Sequence, residues 1–193
     1  RETKRNFTLN DDQLLFRDTV RDLLTHEVTA ERIRQRWDSA TGIDSAALKS
    51  MVDLGLTAAL VPEAQGGLGL NAVDFILLAE ECGRAALPEP IVDSCLVATP
   101  MLVDADRALD GGNSCLLELL EGIAAGEQTV LCGPSINPYI NYAHCADYLL
   151  LPHGNEVHLV AVKDVELERQ TSVDLSRRLS KVNWIPRSET CIA

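Results

Sequence analysis

No stretch of this 193-residue chain approaches the ~18 consecutive apolar residues that a membrane span requires. The start, Arg1-Glu-Thr-Lys-Arg5, has neither an initiator methionine nor the apolar stretch of a signal peptide, which predicts a trimmed or processed start. Basic residues are in deficit: 17 Lys and Arg face 29 Asp and Glu, a formal net charge of −12. The first 40 residues carry eight of each sign, so the acidic excess belongs to the rest. An acidic body excludes broad binding to a nucleic-acid backbone, which needs a basic face. It also obliges any anionic coenzyme to find a local basic patch, or basic groups on a partner chain. The cysteines, at 82, 95, 115, 132, 145 and 191, contain no C-x-x-C pair. A chain this long and apolar needs no disulfide framework, so reduced, structural thiols and a cytoplasmic setting are expected. There is no internal repeat and no low-complexity segment.

With 46% hydrophobic residues, the chain can build one large domain or two small ones. Apolar spacing predicts a first helix over residues 10–36, capped by Asn10 or Asp11, with Leu14, Leu15, Val20, Leu23, Leu24 and Val28 in one stripe. Asp44 caps a second helix that Gly55 stops. Asn71 opens a third, in which Val73, Phe75, Ile76, Leu77 and Leu78 bury a wide face. Pro90 fits the first turn of a fourth, over 90–103, and Asn113 or Ser114 caps a fifth that ends near Gly126. After Gly126 the texture changes to short β-type runs: Thr129–Cys132, Tyr148–Leu151, Val157–Val162 and Leu179–Trp184. The expected fold class is α+β, an all-α helical domain over 1–126 followed by a small antiparallel β domain over 127–193.

One run is unusually specific. Leu54-Gly-Leu leads to Val61-Pro-Glu, then Gly66-Gly-Leu-Gly-Leu70, then a helix ending Glu80-Glu-Cys-Gly-Arg84. In this order the motifs resemble the N-terminal helical domain of flavin-dependent acyl-CoA dehydrogenases. Gly126-Glu127, Ala146-Asp147 and Asp174-Leu-Ser-Arg-Arg-Leu179 resemble the same family's β domain more weakly. The resemblance implies oxidation of an acyl-CoA thioester, bulky or sterol-derived, to the 2,3-enoyl-CoA, with hydride passed to FAD. Where the family has a Thr-Glu-Pro-x-x-Gly-Ser-Asp flavin loop, this chain has Cys132-Gly-Pro-Ser-Ile-Asn-Pro-Tyr139. Only Pro134 and Ser135 remain as cofactor-binding positions. The family's catalytic glutamate usually lies in a C-terminal helical bundle, absent from this sequence, so no residue is assigned as base. Alignment on Glu80-Glu81 puts Pro90, Ile91 and Ser94 where the acyl chain is lined.

A fragment or truncated subunit is therefore expected, working in a hetero-oligomer with a related acyl-CoA dehydrogenase subunit that holds or shares the FAD. An electron-transfer flavoprotein is the implied redox partner. The alternatives are a non-catalytic structural or binding subunit of such an assembly, and an acyl-CoA oxidase-like flavoprotein. The other conspicuous residues have plainer readings. Gly66-Gly67-Leu68-Gly69 lacks the lysine of a phosphate-binding loop and follows no strand, which makes it a turn allowing close helix approach. His26 is an exposed helix residue, Arg177-Arg178 a solvated charge pair, and Trp37 and Trp184 packing residues. His144, His153 and His158 fall in the β module; His144-Cys145 are adjacent, which rarely chelates one ion, and no second pair has zinc spacing, so no metal is expected.

Overall fold

The computed structural model describes residues 8–193, and the expectation for the chain start at residues 1–5 lies outside them. Helix α1 (Asp11–Glu27) opens on a reciprocal cap: Gln13 N–H donates to Asn10 Oδ1 at 2.8 Å, and Asn10 N–H to Gln13 Oε1 at 2.9 Å. The single helix expected over 10–36 is in fact two. Val28 leaves helical geometry at φ −120° and ψ 66°, and the Thr29 hydroxyl accepts from Arg32 N–H to start α2 (Ala30–Trp37). A β-branched pair whose hydroxyl competes for the next turn's amide breaks the rod, although the apolar spacing runs on past it. Asp44 caps α3 (Ser45–Asp53) with two amides, and Gly55 follows at φ 88°. Asn71 caps α4 (Ala72–Arg84).

The first core joins Val20 and Leu24 of α1, Met51 of α3, and Phe75, Leu78 and Cys82 of α4. Spacings of three and four keep these on single faces. Three expected core positions are instead exposed: Leu15, Val73 and Ile76. Each sits off the buried stripe of its helix, so local hydrophobicity overstated the width of the face.

The expected helix over 90–103 runs over residues 91–108, as a π turn (Asp93–Ala98) leading straight into α5 (Thr99–Ala108). Pro100 has no N–H to return to the preceding turn and its ring crowds the Leu96 carbonyl, which favours the wider winding there. Thr99 accommodates it by sending its hydroxyl to the Ser94 carbonyl at 3.1 Å. Helix α6 (Ser114–Ala124) is capped by Asn113. It ends in a Schellman motif, with Gly126 at φ 71° and Glu127 N–H on the Gly122 carbonyl.

Six strands follow: β1 (Val130–Cys132), β2 (Tyr139–Asn141), β3 (Tyr148–His153), β4 (Glu156–Ala161), β5 (Glu166–Arg169) and β6 (Leu179–Asn183). They form two three-stranded sheets, ordered β1-β3-β4 and β2-β6-β5. All ladders are antiparallel except β1 with β3, which is parallel. Asp147 ties that pair: its carboxylate accepts from Thr129 N–H at 2.8 Å, and its own N–H donates back to the Thr129 carbonyl. Strands β2 and β5 were not visible in the pattern, because one is three residues long and the other reads Glu-Leu-Glu-Arg.

The first sheet does not stand apart from the helices. Val130 and Leu150 share a core with Leu102, Leu116, Leu120 and Ile123. The second sheet is anchored by Arg178, which corrects its reading as a solvated residue. It is 7% exposed and donates to the carbonyls of Arg36, Trp37 and Ser39 at 2.8–3.0 Å.

Candidate functional site

Pro90, Ile91 and Ser94 lie together on one wall of a hollow of about 250 Å³. Leu48 and Val52 of α3 form the facing wall, Thr41 and Ile43 the rim before it, and Gln128, Thr129 and Cys145 the edge toward the sheets. The π turn matters here, since Ser94 sits within it and is almost wholly buried at the hollow's side. A π turn carries one extra residue through a helical turn and so re-aims the side chains along it. Asp93 and Val97 of the same turn, with Met101 of α5, line a different depression.

One carboxylate reaches the first hollow. Glu89 is buried, accepts from Arg36 Nη1 at 2.9 Å and from Asp44 N–H at 3.1 Å. Burial pushes its carboxyl up from the usual range, while the Asp44 amide and the Arg36 charge act in the other direction. Arg36 is itself buried, and Asp44 accepts further bonds from Arg32. With both oxygens engaged, Glu89 locks α2, the start of α3 and the prolines into one wall. The adjacent Gln128 Oε1 is buried without a partner among the described residues, which gives the hollow one polar acceptor.

Pro134 and Ser135 lie elsewhere. They border an open groove of about 540 Å³ between the π turn and the two sheets, with Asp93 and Arg177 as its charged residues. The family resemblance assigned five positions, three to the acyl chain and two to the cofactor; in the fold the two groups border different depressions. A flavin ring needs donors aimed at its edge. Here Pro134 and Pro138 have no N–H, Gly133 N–H is spent on the Leu150 carbonyl, and Tyr139 N–H on Asn137 Oδ1. Ser135 is exposed, as is Ile136 beside it.

The glycine loop after α3 is not a phosphate cradle either. Gly66, Gly67, Leu68 and Gly69 give their amides to the carbonyls of Glu63, Pro62, Ala58 and Val61, so none is left for an anion. Among the remaining sequence positions, His26 bonds the Asp22 carbonyl and is exposed. Trp37 is also exposed, with its indole N–H on Ser176 Oγ. His144 meets the Thr41 carbonyl and stacks on Tyr142. All six cysteines are free, and burial pushes the thiols of Cys82, Cys95 and Cys132 up to about 12, so these three behave as packing groups. A grouping that sequence spacing missed is Glu156, His158 and Cys191, which converge from positions 33 residues apart. No helix among the described residues is long and apolar enough to cross a membrane.

Comparison with known proteins agrees with this architecture. The acyl-CoA dehydrogenase IpdE2 of Mycolicibacterium smegmatis is 26% identical over 185 residues, which cover 95% of this chain and 55% of that protein. This chain thus spans about half the length of the curated relative it matches. Two solved structures share the fold. The Tcur3481-Tcur3483 steroid ACAD G363A variant aligns with a TM-score of 0.72 and 21% identity, over 91% of this chain and 56% of that one. The ChsE4-ChsE5 complex from Mycobacterium tuberculosis gives a TM-score of 0.74 and 16% identity, over 97% and 58%. The family model for the N-terminal domain of acyl-CoA dehydrogenases matches residues 10–108, just over half the chain and the same stretch that builds α1 to α5. This chain belongs to the acyl-CoA dehydrogenase family.

Proposed function

We propose that the chain is part of a subunit that takes the acyl portion of an acyl-CoA thioester for α,β-dehydrogenation, with FAD and the catalytic base supplied by a related partner subunit. The observation that carries this reading is the contrast between the two depressions. The hollow at Pro90, Ile91 and Ser94 sets the apolar side chains of Ile43, Leu48, Val52 and Ile91 beside polar groups such as Ser94 and Gln128, whereas around Pro134 and Ser135 two prolines lack an N–H and the Gly133 and Tyr139 amides are engaged. We divide the chain near Gly126, into a helical substrate-binding domain over 1–126 and a reduced β domain over 127–193. A cytoplasmic enzyme fits the six free thiols.

The substrate class follows from the relatives. A solved relative described as a steroid ACAD favours a bulky, sterol-derived acyl group. At about 250 Å³ the hollow holds only a short stretch of such a group, so a partner must extend it past Thr41 and Cys145. Electrons would then leave through an electron-transfer flavoprotein. The engaged or missing amides beside Pro134 and Ser135 also favour a second reading, a non-catalytic subunit that only completes a partner's assembly.

The test is an absorbance spectrum of the chain, alone and co-expressed with a related dehydrogenase subunit. Flavin in the complex alone supports a shared active site. Stoichiometric flavin on the lone chain overturns the division of labour. In an active complex, Ser94→Trp should lower kcat/KM about tenfold or more for the longest accepted acyl group and less for short ones. An unchanged chain-length profile refutes the placement of the pocket.

A further inference from the structure

From the grouping of Glu156, His158 and Cys191, we infer that the β module carries a binding site for a divalent transition-metal ion of the zinc type, separate from the acyl hollow. The three side chains each bring one donor atom, a carboxylate oxygen, an imidazole nitrogen and a sulfur, within 4.8 Å of one another. Glu156 and His158 stand two residues apart on β4 and so share a face. Cys191 is delivered by an isolated antiparallel bridge between its backbone and that of His158. Tetrahedral zinc with bonds of about 2.0–2.3 Å sets its donors roughly 3.3–3.8 Å apart. The Glu156–His158 pair already stands at 3.2 Å, and Glu156 and Cys191, both exposed, are the side chains with room to close the rest.

The hydrogen bonds around His158 supply an independent reason. The Thr190 hydroxyl donates its one proton to the Arg187 carbonyl at 2.8 Å. The Arg187 carbonyl also accepts from Thr190 N–H, so the Thr190 hydroxyl is free to turn to His158 Nδ1, 3.0 Å away, with Nε2–H on Glu156 Oε2. With the hydroxyl kept on Arg187, Nδ1 donates to Thr190 and Nε2 is bare at 3.2 Å from the Glu156 carboxylate, an arrangement that calls for a cation between them. A proton would meet the need by making a buried imidazolium, since His158 is 1% exposed, against a carboxylate that is mostly in water. A metal ion meets it without burying a charged ring and also engages the Cys191 sulfur. Thr190 then performs the usual outer-shell task of fixing the tautomer of a histidine ligand. The His153 ring centre lies 6.3 Å from that of His158. Soft sulfur with imidazole and one carboxylate suits zinc or cobalt, and not magnesium or calcium.

Cobalt(II) is the probe for the test, titrated into the reduced, chelator-treated protein. Trp184 is a built-in reporter, its ring centre 5.1 Å from that of His158. The site predicts one equivalent of cobalt, a thiolate-to-cobalt charge-transfer absorption, quenching of tryptophan fluorescence, and displacement by zinc but not by magnesium. Cys191→Ser abolishes the charge-transfer band, while Cys115→Ser, at an exposed thiol on α6, leaves it intact. Thr190→Val, which removes only the group that orients the ring, weakens cobalt binding about 10–100-fold with unchanged circular dichroism. Absence of the band in the wild-type protein, or its survival in Cys191→Ser, overturns the proposal and leaves the contact between His158 and Glu156 as a plain hydrogen bond.

Discussion

Gly67 shows how much one residue decides. A Cβ built there would lie 1.9 Å from the Val61 carbonyl oxygen, so the constraint is close backbone approach, since no left-handed φ is required. The loop folds back on itself, with Leu68 and Leu70 donating to the carbonyls of Ala58 and Ala59. That places α4 against α1 and α3. Gly67→Ala must push the turn at 58–61 away and should destabilise the protein by about 2 kcal/mol or more, read as a lower urea midpoint. Gly66→Ala meets no neighbouring atom but a φ of 77°, and should cost about half as much. The glycine motif was legible in the sequence as a turn; which of its glycines is irreplaceable was not.

Between elements, the link from α1 to α4 is electrostatic as well as apolar. Glu81 is buried at the end of α4 and accepts from Arg21 of α1 and from Arg84, each at 2.6 Å. The Arg21 hydrogen bond, followed by that of Arg84 against the cost of burial, holds the Glu81 carboxyl down at about 2. A carboxylate whose folded pKa lies below its ordinary 4.5 stabilises the fold above that value, and the contribution fades as pH falls from 4.5 toward 2. Wild type should therefore exceed Glu81→Gln in urea midpoint at pH 7, with the gap closing over that acid range. A constant gap would show that Glu81 acts through packing and not through charge. The sequence displayed the Glu80-Glu81 motif plainly. Which of the two faces inward depended on where α1 crosses α4. The break at Val28–Thr29 has the same character: capping chemistry was written at residue 29, but an uninterrupted apolar period concealed it.

In the molecule as a whole, helices and sheets are held by two quite different contacts. The first sheet joins through apolar burial against α5 and α6, the second through Arg178 and its three carbonyl partners. Tyr142 reinforces the second contact by donating to the Ser176 carbonyl at 2.9 Å. Arg178→Met keeps most of the side-chain volume but leaves the carbonyls of Trp37 and Ser39 without this donor, while Ser39 still serves that of Arg36, at about 2 kcal/mol or more. Hydrogen exchange should then rise in β2, β5 and β6, while β1 and β3 remain protected. Uniform loss of protection would mean that the two sheets unfold together and that Arg178 is no local anchor.

The sequence by itself determined the family, the helical half and its caps, and the absence of a recognisable flavin loop. These are local properties: a cap, a glycine turn or a hydroxyl motif is complete within a few neighbouring residues. Only the tertiary structure separated Ser94 from Ser135, turned Arg178 inward, and brought Glu156 and His158 to Cys191. Those outcomes rest on a π turn ahead of Pro100, on a parallel strand pair closed across Asp147, and on a bridge between distant segments. Spacing along a chain carries no record of which segments will meet, because burial selects among faces only once the elements have packed.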